Sequence, residues 1–234
     1  MERYYEAELK GIQQDIILMA EKAIFNTRRV LELFEKRDRD ICRQIIAEDE
    51  EIDQLELKID QAAVQYMTLY QPVSVDVRLI AMAIKTTHDI ERIGDEASSI
   101  AKRMLRLFER DELPGDNRSE MLGIPEATSI ALAMLKDAVD AFIEKDVAKC
   151  HSVVDRDAEV DSLNHENFEG FLERLTSERD NAEALMELVL ISKSIERIAD
   201  HAKNIAREVV YYVTGEELRH SGKGPSRSER GVQG

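Results

Sequence analysis

The chain has 234 residues, a formal net charge of −16 at pH 7, 34% charged residues, 10 glycines, 4 prolines and no tryptophan. This length suits one large or two small domains, and few helix breakers among many charged residues favour long helices over a sheet. The negative charge argues against direct binding to nucleic acid or anionic lipid, and leaves cations or a basic protein face as partners.

Neither the N-terminus nor any internal stretch predicts export or membrane insertion. The first residues lack the basic-then-apolar order of a signal peptide, and no run approaches the ~18 apolar residues of a membrane span. We therefore predict a cytoplasmic protein. Cys42 and Cys150 are interpreted as small buried residues, because a reducing cytosol disfavours a disulfide.

Hydrophobic periodicity predicts six helices, with three in each half of the chain. Gln71-Pro72 ends the second helix, since proline disfavours helical backbone in the residue before it. The Leu113–Asn117 stretch is the clearest break in the chain, and Gly215 ends the last helix. The predicted helices lie near residues 3–36, 38–70, 74–110, 125–144, 147–175 and 178–213.

The two halves of the chain are copies of each other. The Asp89–Asp95 segment returns as Ser194–Asp200 at an offset of 105 residues, and Asp49–Asp53 returns as Asp157–Asp161 at an offset of 108. The third helix of each half carries an apolar stripe with alternating spacings of 3 and 4, which requires partner helices to cover it. The stripes are Ile90, Ile93, Ala97, Ile100, Met104 and Leu107, and Ile195, Ile198, Ala202, Ile205, Val209 and Tyr212.

These patterns predict an all-α fold of two tandem three-helix bundles, in a spectrin-repeat-like arrangement. The first bundle should span residues 1–112 and the second 125–215, joined by a linker at 113–124. Residues 216–234 are polar and glycine-rich, which is typical of a disordered tail.

Each bundle carries two acidic pairs spaced i, i+4, which are the best indication of a binding site. Residues four apart on a helix lie about 5–6 Å from each other, so both carboxylates face one small volume, and we expect them to point away from the apolar stripe. A hard cation such as Mg²⁺, Mn²⁺ or iron would relieve their repulsion. His88 lies on the face of Glu91 and offers a nitrogen ligand, whereas the copy has Lys193 there.

Two other interpretations of these residues bear on function. Acidic pairs on a helix are usually solvated surface, and Arg92 or Lys102 could neutralise them. A di-iron oxidase is rejected, because that class needs Glu-x-x-His on core-facing positions and this motif occurs only at Glu217 and His220. No nucleotide-binding loop or nucleophile elbow is present, so the sequence predicts no enzymatic activity.

The segments Ile90–Asp95 and Ile195–Ala206 resemble the signature helices of the PhoU family of phosphate-uptake regulators. The resemblance covers about residues 1–213. It implies a cytoplasmic, often homodimeric protein that negatively controls the phosphate-starvation response, linking the ATP-binding subunit of the phosphate ABC transporter to a sensor histidine kinase. It also implies multinuclear iron or zinc on the acidic pairs Asp49, Asp53, Glu91 and Asp95, and Asp157, Asp161, Glu196 and Asp200.

Two rival functions stay open at this point. The acidic pairs would be the purpose of the molecule in a metal-storage or metal-buffering protein. The same fold would also suit an accessory subunit of a low-affinity phosphate permease.

Overall fold

The computed structural model describes residues 2–110, 121–177 and 182–218, and these residues form six helices and no strand. This confirms the all-α prediction, with helix ends close to the predicted ones. The helices are α1 (Glu2–Lys36), α2 (Arg39–Tyr70), α3 (Ser74–Arg110), α4 (Ile124–Glu144), α5 (Val147–Ser177) and α6 (Ala182–Thr214).

The turns between helices repeat in both halves. Arg37 and Lys145 adopt left-handed backbone conformations with φ of 51° and 57°. The next residues, Asp38 and Asp146, accept hydrogen bonds from backbone N–H groups two and three residues further on, at 2.8 and 3.0 Å. Such a side-chain acceptor satisfies an amide that the helix leaves unpaired. The duplication is therefore preserved in the detail of its turns.

The predicted apolar stripes of α3 and α6 form the centre of the core. Every residue of both stripes is buried, from 0 to 6% exposed, and each fully buried isoleucine contributes about 1.5–3 kcal/mol. The same spacing in the sequence predicts a stripe on α2, made of Ile52, Leu55, Ile59, Ala62, Tyr66 and Leu69. This stripe is buried only in part: Ile52, Ile59 and Tyr66 are in the core, whereas Leu69 is 59% exposed. α2 packs against α1 and α3, so only the positions that face those helices are covered.

The two bundles lie side by side through α3 and α6. Arg106 near the end of α3 pairs with Glu187 near the start of α6, and Lys85 near the start of α3 pairs with Glu208 near the end of α6. The two helices therefore run antiparallel at the centre of the molecule. α2 packs on α3 and α5 packs on α6, so each bundle has its own groove between a central and an outer helix.

Some sequence predictions fall where the structure gives little or no description. Most of the predicted linker, the start predicted for the sixth helix and all but the first residues of the predicted tail lie outside the described residues. The exact boundaries of the two units therefore stay a prediction. Cys42 and Cys150 are free and buried, as expected, and burial raises the pKa of each thiol to about 11.

Candidate functional site

Each bundle gathers four carboxylates between its second and third helices. Asp49 lies near Asp53 and Asp95, and Glu91 lies near Asp95, close enough for these neighbours to raise the pKa of Asp49 and of Glu91. The same holds in the second bundle, where Asp161 lies near its three predicted companions. We call the residues Asp49, Asp53, Glu91 and Asp95 the first cluster, and Asp157, Asp161, Glu196 and Asp200 the second cluster.

The expectation that these pairs point outward is wrong for four of the eight residues, since Asp49 also buries its Oδ1. Asp157 is only 8% exposed, and the side chains of Glu91 and Glu196 are 15% exposed. Asp95 and Asp200 do reach solvent, with 44% of each side chain exposed. The heptad of a single helix places these positions off its own apolar stripe, but the adjacent helix of the bundle packs over that flank.

The inner part of the first cluster contains polar atoms without partners. The buried Oδ1 of Asp49 accepts no hydrogen bond, and a Cβ on Gly94 would lie 3.0 Å from it. Ser98 is 1% exposed and lies beside Asp49, where its hydroxyl partly offsets the effect of burial on the Asp49 carboxyl. Burial raises the pKa of Asp49, and the carboxylates of Asp95 and Asp53 add to the rise.

Glu91 lies in a similar environment at the rim of the groove. Its buried Oε2 accepts no hydrogen bond, although Arg92 Nε lies 3.3 Å away. Arg92 also donates to Asp95 Oδ2 at 3.0 Å. Burial raises the pKa of Glu91 to about 7, and the charges of Asp95 and Glu56 contribute, while Arg92 acts against the rise. The half-exposed Arg92, together with Lys102 near Asp49, therefore balances only part of the negative charge.

A histidine completes this part of the site. The ligand atoms of Glu56, His88 and Glu91 all lie within 4.8 Å of one another, with His88 Nδ1 3.6 Å from Glu56 and 4.0 Å from Glu91. Imidazole and carboxylate donors suit iron, zinc and manganese. The sequence identified His88 as a possible ligand, and the structure adds Glu56 from α2.

The second cluster carries its own cations. Lys203 donates hydrogen bonds to Asp157 and, at 2.5 Å, to Asp200. Lys193 donates to Glu196, which also accepts a hydrogen bond from Asn164 at 2.8 Å. Burial alone would lower the pKa of Lys203, but its hydrogen bonds to the two aspartates outweigh burial and raise it.

Two segments of the chain, residues 16–104 and 124–209, match the family model of the PhoU domain. The chain belongs to the PhoU family. Each matched segment corresponds to one bundle, so the family repeat and the structural repeat coincide. No described helix of this PhoU-family chain combines the length and apolar character needed to cross a membrane.

Relatives of known name agree with this assignment. The chain is 32% identical to the "Phosphate-specific transport system accessory protein PhoU homolog" of Caulobacter vibrioides, over 92% of this chain and 91% of the relative. It is 28% identical to the "Phosphate-specific transport system accessory protein PhoU" of Escherichia coli, over 93% of this chain and 88% of the relative.

Two crystal structures share the fold. PhoU from Pseudomonas aeruginosa superposes with a TM-score of 0.85 at 29% identity, covering 91% of this chain and all of that one. The phosphate transport system regulatory protein PhoU from Streptococcus pneumoniae gives a TM-score of 0.81 at 22% identity, covering 92% of this chain and 99% of that one, a level that supports the fold alone.

The two clusters of this PhoU-family chain differ in their fitness for a metal. The first cluster fits one, because it offers buried carboxylate oxygens without hydrogen bonds, a close approach at Gly94 and an imidazole. The second cluster fits one less well, because ammonium groups already engage three of its four carboxylates. Sequence reasoning noted Lys193 but missed Lys203, although a lysine three residues after Asp200 is a visible i, i+3 pair.

Proposed function

We propose that this chain is a cytoplasmic, non-enzymatic accessory protein that restrains phosphate uptake and the phosphate-starvation response. The observation that carries the proposal is membership of the PhoU family across both bundles, with relatives named as accessory proteins of phosphate-specific transport. A bundle of this kind acts by contact, biasing a partner toward one of its states.

The proposed partners are the ATP-binding subunit of the phosphate ABC transporter and the sensor histidine kinase that reads the state of the transporter. When phosphate is plentiful, the chain would hold the kinase in its inactive state. Homodimer formation is part of the proposal, because the resemblance to the PhoU family implies it.

Exposed apolar side chains give this proposal a physical basis. Phe168 and Leu172 on α5 and Met186 on α6 are about half exposed. Phe168 also lines a cleft of about 340 Å³ between α5 and α6. At the turn of the first bundle, Leu69 and Val73 are 59% and 70% exposed. Grouped exposed apolar residues of this kind are typical of surfaces that bind another protein.

Gene deletion tests the regulatory proposal. Removing the gene should leave phosphate-starvation genes expressed in phosphate-rich medium, and the wild-type gene supplied in trans should restore repression. A transcriptional reporter on a starvation promoter measures both effects. Unchanged repression in the deletion strain would refute the proposal.

We further propose that the acidic residues of the first cluster hold iron, zinc or manganese, with His88 and Glu56 as additional ligands. When bound, the metal would neutralise the buried charge and tie α2 to α3, a structural rather than catalytic contribution. Asp49 and Asp53 would ligate from α2, and Glu91 and Asp95 from α3.

Elemental analysis of protein purified without an affinity metal tests this second proposal. Metal should be present in the wild type and absent from a folded Glu91→Ala, Asp95→Ala variant. Metal retained in the variant would place it elsewhere. Metal absent from both would reduce the first cluster to an unusual arrangement of carboxylates.

A further inference from the structure

We infer that the second cluster is closed to metal by two lysines of the chain itself, so that divalent cations bind in the first bundle alone. This inference rests on the proposed metal binding and specifies where it occurs. It departs from the symmetric arrangement that the duplication predicts, in which both clusters bind alike.

Lys203 occupies the place where a bridging cation would lie. Its ammonium group contacts Asp157 on α5 and Asp200 on α6, one carboxylate from each wall of the groove. The side chains of Lys203 and Asp157 are only 14% and 12% exposed. A buried ion pair with good geometry resists disruption, because removing one partner leaves the other charge buried and uncompensated.

Lys193 closes the rim of the same groove. Its ammonium group donates to Glu196, and the amide of Asn164 donates to the same carboxylate oxygen of Glu196. A metal could reach this oxygen only by displacing a cation and an amide together. The two lysines thus engage three of the four carboxylates of the second cluster.

The first bundle has no lysine at either place. With the repeat offsets, Lys203 corresponds to Ser98, Lys193 to His88, and Asn164 to Glu56. The replacements are a neutral hydroxyl, an imidazole that ligates metal when neutral, and a further carboxylate. Every change that closes the second cluster therefore removes a ligand or adds a fixed positive charge.

The unpartnered atoms of the first cluster indicate the same difference. The buried Oδ1 of Asp49 and the buried Oε2 of Glu91 accept no well-aligned hydrogen bond, and the side chain beside Asp49 is the neutral, 1% exposed Ser98. Buried polar atoms normally have hydrogen-bond partners, and exceptions call for an explanation. Arg92, the nearest compensating group, has a side chain that is 48% exposed, so it can turn away to solvent when a cation binds. Lys203 has no comparable freedom.

The inference is tested by Mn²⁺ binding to the full-length, chelator-treated protein, with equilibrium dialysis and elemental analysis. Four proteins are compared: the wild type, Asp49→Asn with Glu91→Gln, the matched Asp157→Asn with Glu196→Gln, and Lys193→His with Lys203→Ser, which copies the first bundle. We expect the first-cluster variant to lose Mn²⁺ binding at least tenfold, the second-cluster variant to bind like the wild type, and the lysine variant to gain an additional binding event.

A thermal denaturation series provides a readout that does not depend on loaded metal. In chelator, Lys203→Ser should lower the melting temperature, and Mn²⁺ should restore it. If the second-cluster variant loses Mn²⁺ as strongly as the first-cluster variant, the inference is overturned while metal binding stands. If no protein of the series binds Mn²⁺, Fe²⁺ or Zn²⁺, both the proposed metal binding of the first cluster and this inference are overturned.

Discussion

At the scale of single residues, the protonation of Glu91 reports the charge imbalance of the first cluster. Burial between α2 and α3 raises its pKa from 4.5 to about 7, and Asp95 and Glu56 add to the rise while Arg92 opposes it. Near neutral pH, a metal-free protein therefore holds this carboxyl partly protonated. A bound cation would reverse this effect, because an adjacent positive charge favours the ionised form.

The stability of the metal-free protein should consequently depend on pH through Glu91. The unfolded chain releases this proton near 4.5 and the folded chain near 7, so stability falls as pH rises between these values. Glu91→Gln should remove this fall and be more stable than the wild type at pH 8 by roughly 1–3 kcal/mol. Urea denaturation in chelator at pH 5, 6, 7 and 8 measures the difference, with the exposed Glu50→Gln as control. Equal slopes for wild type and Glu91→Gln would contradict the account.

At the scale of helices, the approach of α2 to α3 depends on Gly94. A Cβ there would lie 3.0 Å from both Asp49 Oδ1 and Ile52 Cδ1, closer than ordinary contact. The equivalent residue of the second bundle is Ala199, which is fully buried. The two grooves therefore differ in how closely their helices can approach each other, as well as in charge.

We predict that Gly94→Ala weakens Mn²⁺ binding about tenfold, by displacing the Asp49 carboxylate by a few tenths of an ångström. Its unfolding free energy should change by less than about 1 kcal/mol, because the helix propensity of alanine offsets the crowding.

Ala199→Gly is the matched control for this substitution. It should cost about 1 kcal/mol of stability through helix propensity and leave Mn²⁺ binding unchanged. Calorimetric titration and urea denaturation of both variants provide the two numbers. Unchanged Mn²⁺ affinity in Gly94→Ala would show that Asp49 is not a ligand.

The helices and their turns could be predicted from the sequence because the information is local. The proline after Gln71 predicted the end of α2, and the 3-4 stripe of α3 predicted its buried face. The prediction that the stripe of α2 is buried is correct only in part, since Leu69 is exposed. Which flank a neighbouring helix covers depends on packing between helices, which a single-helix pattern does not contain.

The residues that form the site could be predicted from the sequence, but their burial and their ion pairs could not. Spacing identified the eight carboxylates and predicted that the two members of each pair face one volume, whereas the meeting of two pairs in each bundle comes from the packing of helices. Burial of Glu91 and Asp157 required the outer helices in place. The pairing of Lys203 with Asp157 joins residues 46 positions apart, and comparison of the two copies at positions 98 and 203 was the signal that could have revealed it.

At the scale of the whole molecule, charged pairs on α3 and α6 hold the bundles together. Glu187 accepts hydrogen bonds from Arg103 at 2.7 Å and from Arg106 at 2.9 Å. Burial would raise the pKa of Glu187, but these two arginines outweigh burial and lower it. The ion pairs supplement a hydrophobic core that runs through both bundles.

Glu187→Gln should therefore loosen the contact between bundles. We expect a loss of about 1 kcal/mol, a modest value because Glu187 and both arginines are partly exposed and solvent screens their attraction. The loss should shrink at 1 M salt, where charges are screened within ~3 Å. Urea denaturation at low and high salt measures it, with the exposed Glu159→Gln as control. A loss that is independent of salt would argue against an electrostatic contribution.

The central claim is that this PhoU-family chain acts by binding partner proteins, and direct binding tests it most closely. The purified chain would be titrated by calorimetry or interferometry with the ATP-binding subunit of the phosphate transporter and with the cytoplasmic part of the sensor kinase, both from the same organism. The account predicts binding at micromolar concentration or tighter to at least one of them, weakened about tenfold by Phe168→Ser with Leu172→Ser, which removes exposed apolar contact area. Absence of binding to either partner by the folded wild-type protein would contradict it.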